Sequence, residues 1–304
     1  GRCAYGIMLG EDGMLMDDGV MARVAENQFY LTTTTGGAAN VLAWLESWLQ
    51  TEWPDLEVYL TSLTDHYSTI AVVGPNSRKV LQKIGCSIDI DKEDFSFMSV
   101  RDAELGGYPV QLFRVSFSGE LAFEINIDSR YALDMWRKLM DAGAEFDITP
   151  YGTETMHVLR AEKGFVIVGQ DTDGSVTPAD LGMNWLLSKH RDFLGRRSLA
   201  RPDCVREDRK QLVGLMSQDN STVLPEGTQL IDEPTAEAPV AMCGHVTSSY
   251  ASACLGHPIA LALVAGGRKR QDETIYAALP GCAPLPVTIV SPVFYDPKGE
   301  RQHV

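Results

Sequence analysis

The sequence predicts an α+β protein of two domains, a mixed helix-and-strand domain over residues 1–205 and an all-β domain over residues 206–304. A chain of 304 residues is long enough for two domains of ordinary size. Amphipathic helices alternate with short apolar runs in the first region, whereas only strand-length runs separated by turns follow. The polar stretch 201–209 lacks any periodicity and marks the predicted boundary.

The first domain begins with a predicted hairpin, because the Asp12-Gly13 pair between two apolar runs favours a tight turn. Apolar residues at helical spacing then predict a helix from 38 to 50, which Trp53-Pro54 ends. The remaining predicted elements are strands at 28–33, 56–63, 69–73, 108–115 and 121–127 and helices that begin at Ser77 and span 131–140 and 153–163. Gly164 is expected to terminate the last of these helices.

Six short apolar runs make up the second domain. They are bounded by Gly, Pro and Asp residues, which favour turns. This pattern is typical of a compact antiparallel β-barrel or a β-sandwich, and the spacing alone leaves both open. The six runs are 211–216, 229–231, 241–246, 260–264, 274–278 and 287–293.

Composition and charge weigh against several classes of partner. The formal charge is −15 and the pI about 4.8, which weighs against nucleic acid or an anionic membrane. No apolar stretch approaches the roughly 20 residues of a membrane span. The chain opens without Met and without a secretory signal, which predicts a fragment or a processed product.

The six cysteines predict reduced thiols and a cytoplasmic location, because they are scattered and contain no CxxC pair. Cys243 lies near His245, and Cys254 near His257, but this spacing matches no structural zinc pattern. Buried core thiols explain these cysteines better, since Cys is among the residues most often buried. No metal site is predicted.

Two acidic pairs are candidates for chemistry. Asp17 and Asp18 are adjacent on a predicted strand, so at most one of them faces a given pocket. Glu120 and Glu124 are four residues apart, which on a strand places both on one face. Each pair fits either a solvated surface or a ligand pocket, and spacing alone does not choose between these.

Several short strings follow one another in a characteristic order. They are Gly1-Arg2-Cys3-Ala4-Tyr5, Asp17-Asp18, Gly74-Pro75-Asn76, Arg114-Val115-Ser116-Phe117-Ser118-Gly119-Glu120-Leu121-Ala122-Phe123-Glu124, Leu159-Arg160-Ala161-Glu162-Lys163-Gly164 and Gly244-His245-Val246-Thr247-Ser248-Ser249. In this order they resemble the aminomethyltransferase (glycine-cleavage T-protein) family over essentially the whole chain. The resemblance implies an aminomethyltransferase-like folate-binding α/β region, incomplete at its start, followed by a small antiparallel β-barrel domain.

The same resemblance implies a tetrahydrofolate site. Asp18 matches the family's catalytic aspartate beside folate N5, where a carboxylate stabilises developing positive charge. Glu124 matches the acid that accepts hydrogen bonds from the amino and N3–H edge of the pterin. The other matched folate-binding positions are Tyr5 and Phe117, which flank the pterin and aminobenzoyl rings, Phe165 in place of a Tyr, Thr34 in place of an Asn, and Met156 in place of an Arg.

Further strings, among them Thr32-Thr33-Thr34-Thr35 and Ser291-Pro292-Val293-Phe294-Tyr295-Asp296, resemble the branch of heterotetrameric sarcosine oxidase alpha subunits. That branch implies transfer of the methylene from sarcosine oxidation to give 5,10-methylenetetrahydrofolate. It also implies a flavin-bearing beta subunit and smaller subunits as partners, with FMN or FAD and NAD held elsewhere in the complex. The alternatives are a free-standing aminomethyltransferase or folate-dependent demethylase, and a non-catalytic subunit-interaction module.

Overall fold

A computed structural model describes residues 1–234 and 239–304. Two compact units make up this part of the chain. The first comprises Gly1–Gly6, Asp17–Gly152 and Gly299–Val304, and the second comprises Ile7–Met16 and Thr153–Lys298. A domain boundary at 205 stays a prediction, because compactness alone does not show which parts fold independently.

A seven-stranded sheet with the strand order β3-β2-β1-β5-β6-β7-β4 underlies the first unit. The hairpins β2–β3 and β5–β6 and the pairs β6–β7 and β4–β7 are antiparallel. The elements are β1 (Arg2–Leu9), β2 (Leu15–Ala25), β3 (Gln28–Leu31), α1 (Ala38–Thr51), β4 (Tyr67–Val73), α2 (Ser77–Ile84), β5 (Ser99–Leu105), β6 (Tyr108–Arg114), β7 (Ala122–Asp128) and α3 (Ala132–Gly143).

One face of this sheet forms the main core of the first unit. Phe123, Ile125 and Ile127 alternate along β7 and are fully buried in one cluster with Leu81 of α2 and Met135 of α3. The two-residue period of a strand requires the residues between them to face the other way. Glu124 and Asn126 therefore lie on the opposite face.

The opposite face carries a smaller apolar cluster. Its buried members are Ala22 of β2, Val100 of β5, and Phe113 and Val115 at the end of β6. Tyr30 of β3 packs against them, with its ring centre 5.5 Å from that of Phe113. The aromatic residues Tyr30 and Phe113 therefore lie on the face that also bears Glu124.

The predicted strand at 56–63 is wrong, because the structure shows no regular element there. Leu56, Val58 and Tyr59 are exposed, Tyr59 to 95%. Without a neighbouring strand their backbone groups have no ladder to join, and the apolar side chains have no core face to cover. The β-branched and aromatic composition of this segment predicted a strand that tertiary context does not support.

The second unit contains a closed six-stranded barrel with the order β10-β11-β8-β13-β12-β9. Each of the six predicted runs overlaps one of its strands, and closure decides between barrel and sandwich. A closed barrel leaves no unpaired strand edge. The elements are α4 (Thr153–Glu162), β8 (Lys210–Ser217), β9 (Gln229–Ile231), β10 (Gly244–Ser252), β11 (His257–Ala265), β12 (Thr274–Ala278) and β13 (Leu285–Val290).

A buried ion pair joins α4 to the barrel within the second unit. The Arg160 guanidinium lies 2.5 Å from the Asp171 carboxylate, and both side chains are fully buried. Asp171 also accepts hydrogen bonds from the hydroxyls of Thr247 and Ser248 on β10.

Within residues 1–234 and 239–304, no helix combines the length and apolar character needed to cross a membrane.

Asp171→Asn is expected to lower the free energy of unfolding by about 3–5 kcal/mol, because it leaves Arg160 charged, buried and unpaired. Glu207→Gln is the matched control, since its partner Lys269 is 65% exposed and the Glu207 side chain 81% exposed. Breaking that surface pair is expected to change stability by less than about 1 kcal/mol. Urea titration followed by circular dichroism measures both, and equal losses would contradict the prediction.

Candidate active site

The two adjacent aspartates of β2 face opposite sides of the sheet, as the strand period requires. Asp18 shares its side with Val20, Ala22 and Val24, which belong to the smaller apolar cluster. Asp17 is buried, with only 2% of its surface exposed to solvent. The two carboxylates therefore occupy separate environments.

Asp17 is a structural carboxylate. Its Oδ1 accepts hydrogen bonds from the backbone N–H groups of Asp18 at 2.8 Å and Thr34 at 3.0 Å, and its Oδ2 accepts from the Thr34 hydroxyl at 3.0 Å. A Cβ added at Gly37 would lie only 2.0 Å from Oδ2, so the chain can approach this carboxylate only with glycine there. Thr34, one of the predicted folate-binding residues, thus contacts Asp17, and its role toward folate stays a prediction.

Asp18 is held by a hydrogen bond from Tyr5 of the neighbouring strand β1. The phenol donates to Oδ2 at 2.6 Å. Burial raises the pKa of the Asp18 carboxyl, the hydrogen bond from Tyr5 opposes that rise, and the charge of Asp17 adds to it. Burial and the charge of Asp18 also raise the pKa of Tyr5, so the phenol keeps its proton and acts as the donor.

Glu124 lies on the same face of the sheet, directly opposite Phe113 of β6 in the strand register. Among the residues that the structure describes, its carboxylate has no hydrogen-bond or ion-pair partner, although burial raises its pKa. Its charge adds to burial in raising the pKa of Cys3, to about 11, and those of Tyr30 and Tyr151. A half-buried carboxylate without a protein partner, near tyrosines and a thiol, is available to a ligand.

The predicted pairing of Glu120 with Glu124 on one strand face does not occur. β7 begins at Ala122, so Glu120 lies in the preceding bend, and its Oε1 is 2.5 Å from Nε of Arg301. Phe117, the predicted aromatic neighbour of folate, is half-buried in the same β6–β7 connection. Only one of the two glutamates, Glu124, is therefore free to bind a ligand.

Met156 and Phe165 belong to the second unit. Met156 lies on α4 and is half-buried, and Phe165 follows the helix. Arg160 donates through Nη1 to the Phe165 carbonyl at 2.9 Å, which fixes the backbone there. Their predicted roles in folate binding stay predictions.

The sequence did not point to Tyr30, Tyr151 or Cys3 as neighbours of Glu124. Cys3 could have been found, because it is two residues from Tyr5 and so shares its face of β1. Tyr30 and Tyr151 are distant from Glu124 along the chain, and only the strand order brings Tyr30 to the site.

Family models match most of the chain. The GCVT N-terminal domain matches residues 1–191, and the glycine cleavage T-protein C-terminal barrel domain matches residues 210–296. The structure also resembles a crystal structure of glycine cleavage system aminomethyltransferase T from Bartonella henselae, with a TM-score of 0.83 and 23% identity over 97% of this chain and 76% of that one. At this identity the likeness shows the fold.

Curated relatives fall into two groups. The chain is 51% identical to sarcosine oxidase subunit alpha of Corynebacterium sp. (strain U-96) over 99% of this chain, and 40% identical to that of Rhizobium meliloti (strain 1021). It spans only about a third of those subunits, 32% and 31% of their lengths. An aminomethyltransferase of Thermotoga neapolitana is 28% identical over 90% of this chain and 71% of its own length.

Glu124→Gln is expected to raise the free energy of unfolding at pH 8. The folded-state pKa of Glu124 is raised above its unfolded value, so stability is lost as the pH rises through the folded pKa and Glu124 ionises. Near pH 4, around the ordinary pKa of glutamate, the advantage of the variant is expected to shrink.

Urea unfolding at pH 8 and pH 4 measures this difference. The exposed Glu104 of β5 provides the control, because Glu104→Gln makes the same chemical change without burial and is expected to alter stability little at either pH. A Glu124→Gln variant that is less stable than the parent at pH 8 would show that the carboxylate has a partner in the protein.

Proposed function

Since this chain belongs to the glycine cleavage T-protein (GCVT) family, we propose that it is a tetrahydrofolate-dependent one-carbon transfer module of a sarcosine oxidase alpha subunit. In this role it directs the methylene released on sarcosine oxidation to 5,10-methylenetetrahydrofolate. The family matches and the sarcosine oxidase relatives support the class of reaction. The residues of the first unit support the way in which it is done.

The unpartnered carboxylate of Glu124 is the observation that carries the proposal. A pterin presents an amino group and a ring N–H side by side, and a carboxylate accepts two parallel hydrogen bonds from such an edge. The charge of the carboxylate also strengthens both bonds. Tyr30, half-buried on the same face, supplies aromatic surface for the ring to pack against, and it is itself packed against the buried ring of Phe113.

Asp18 is the proposed catalytic residue. Tetrahydrofolate, when bound, supplies the N5 amine that accepts the one-carbon unit. A fixed carboxylate stabilises positive charge that develops on a neighbouring nitrogen, and it costs no reorganisation because Tyr5 already orients it. Its raised pKa brings the carboxyl closer to neutral pH, where it can also accept and return a proton.

The sarcosine oxidase relatives support a proposal for the donor and the partners. Two sarcosine oxidase alpha subunits match over essentially all of this chain, so we propose sarcosine as the donor and a flavin-bearing beta subunit with smaller subunits as partners. FMN or FAD and NAD would be held outside this chain. Met156, which stands where the resemblance places an arginine, favours this donor over a carrier-bound one.

A free-standing aminomethyltransferase is the second candidate, because the Thermotoga neapolitana enzyme of that name matches 90% of this chain. The two candidates share the folate site and differ in the donor. Activity with an aminomethylated lipoyl carrier, and none with sarcosine in the presence of flavoprotein subunits, would favour this second function.

Glu124→Gln is expected to weaken binding of folinic acid, a stable reduced folate, by about 10- to 100-fold. This range corresponds to the roughly 1.5–3 kcal/mol of a hydrogen bond to a charged group. Isothermal titration calorimetry measures the affinity. Glu120→Gln is the control, because it makes the same change four residues earlier in a carboxylate paired with Arg301, and it is expected to change the affinity less than about twofold. Equal affinities of the parent and Glu124→Gln would exclude the proposed binding mode.

Asp18→Asn is expected to keep folinic acid binding but to slow methylene transfer by at least about 100-fold, the usual size of an acid–base contribution. The measurement is formation of 5,10-methylenetetrahydrofolate by the assembled oxidase, with a formaldehyde trap present to remove carbon that escapes into solution. Sarcosine oxidation by the flavin serves as the internal control and should be unchanged. Unchanged transfer in Asp18→Asn would assign the chemistry to another residue.

A further inference from the structure

A concentrated positive charge lies in the second unit of this acidic chain. The segment 189–197, here called the cationic loop, carries Lys189, Arg191, Arg196 and Arg197 against one acid, Asp192. All five residues are exposed. The whole chain has a formal charge of −15, so this loop has the opposite sign to the net charge of the chain.

The four cations of the loop have no carboxylate partner among the residues that the structure describes. Several other basic residues of the same unit are paired: Lys269 lies 2.7 Å from Glu207, Arg270 lies 2.6 Å from Asp232, and Arg209 is paired with Asp180. In a chain rich in acids, four neighbouring cations without an acidic partner leave mutual repulsion uncompensated.

The loop is nevertheless held in a defined conformation. The Arg196 guanidinium donates to the Arg191 carbonyl at 2.8 Å and lies over the Phe193 ring at 5.8 Å. The Ser188 hydroxyl accepts from the Arg191 backbone N–H at 2.8 Å. The cations therefore project from an ordered backbone, which lowers the entropy lost when they bind a partner.

An exposed aromatic residue adjoins the loop. Trp185, in a short helical turn from Asn184 to Leu186, is 73% exposed. It precedes Lys189 by four residues, so the two Cα atoms are at most roughly 14 Å apart. Trp and Arg are the residues that contribute most often to the binding energy of protein interfaces.

We propose that the cationic loop and Trp185 form a docking surface for an acidic segment of another polypeptide. The positive charge of the loop is complementary to the negative charge of such a segment, and Trp185 offers the segment an apolar contact. A polypeptide fits better than nucleic acid, because a long polyanion would extend beyond the loop over a surface of net negative charge. This inference does not depend on the folate site.

The test is fluorescence anisotropy of a labelled hexaglutamate peptide titrated with the chain. Saturable binding is expected at about 20 mM salt, with at least about fivefold weaker binding at 150 mM, because exposed charges are screened over a Debye length. The double variant Arg191→Gln/Arg197→Gln is expected to weaken binding at least about fivefold, because it removes two of the four exposed charges of the loop. It leaves Arg196 and its hydrogen bonds in place.

The control is Arg206→Gln/Lys269→Gln, which removes the same charge from residues that already have carboxylate partners. It is expected to change binding less than about twofold. Circular dichroism checks that each variant is folded. Lack of binding by the parent chain, or equal losses in the two double variants, would overturn the proposal. Tighter binding of a single-stranded oligonucleotide with six phosphates, lost in Arg191→Gln/Arg197→Gln, would replace the acidic polypeptide by nucleic acid.

Discussion

The two-residue period of the strands is the constraint on which the site depends. On β7 it sends Phe123 and Ile125 into the main core and Glu124 to the other face. On β2 it separates Asp17, whose two oxygens accept three hydrogen bonds, from Asp18, which faces the smaller cluster. A shift of one residue in either strand would bury a catalytic candidate in the core and expose core side chains. The strand register that places the core side chains therefore also places the residues of the candidate site.

The same arrangement works against stability. Burial raises the pKa of both Asp18 and Glu124, which means that their ionised forms are less favourable in the folded chain than in the unfolded chain. The apolar packing on the main core face has to offset this loss. Sites that bind or react commonly accept such a loss, because a ligand or a transition state then provides the missing interactions.

The local pattern of apolar and polar residues predicted much of the secondary structure of this chain. The six barrel strands and the helices at 38, 77, 131 and 153 all form near their predicted positions, because apolar periodicity reports which side of an element is buried. Pattern failed at 56–63, where no neighbouring strand exists, and at Glu120, where Arg301 from the far end of the chain provides a partner. Tyr30 was not predicted as a neighbour of Glu124, because strand order depends on long-range pairing that local sequence does not show. Tyr151, which lies in the connection before α4, was not predicted either.

Hydrogen-bond satisfaction distinguishes the buried acids of this chain. Asp171 is fully buried, but both of its oxygens accept hydrogen bonds and Arg160 neutralises its charge. Glu124 is half-buried and has no hydrogen-bond or ion-pair partner in the described part of the chain. Asp171 is therefore a group that stabilises the fold, whereas Glu124 is the carboxylate that we propose binds a ligand. The same reasoning applies at the surface, where the paired cation of Lys269 contrasts with the unpaired cations of the loop at 189–197.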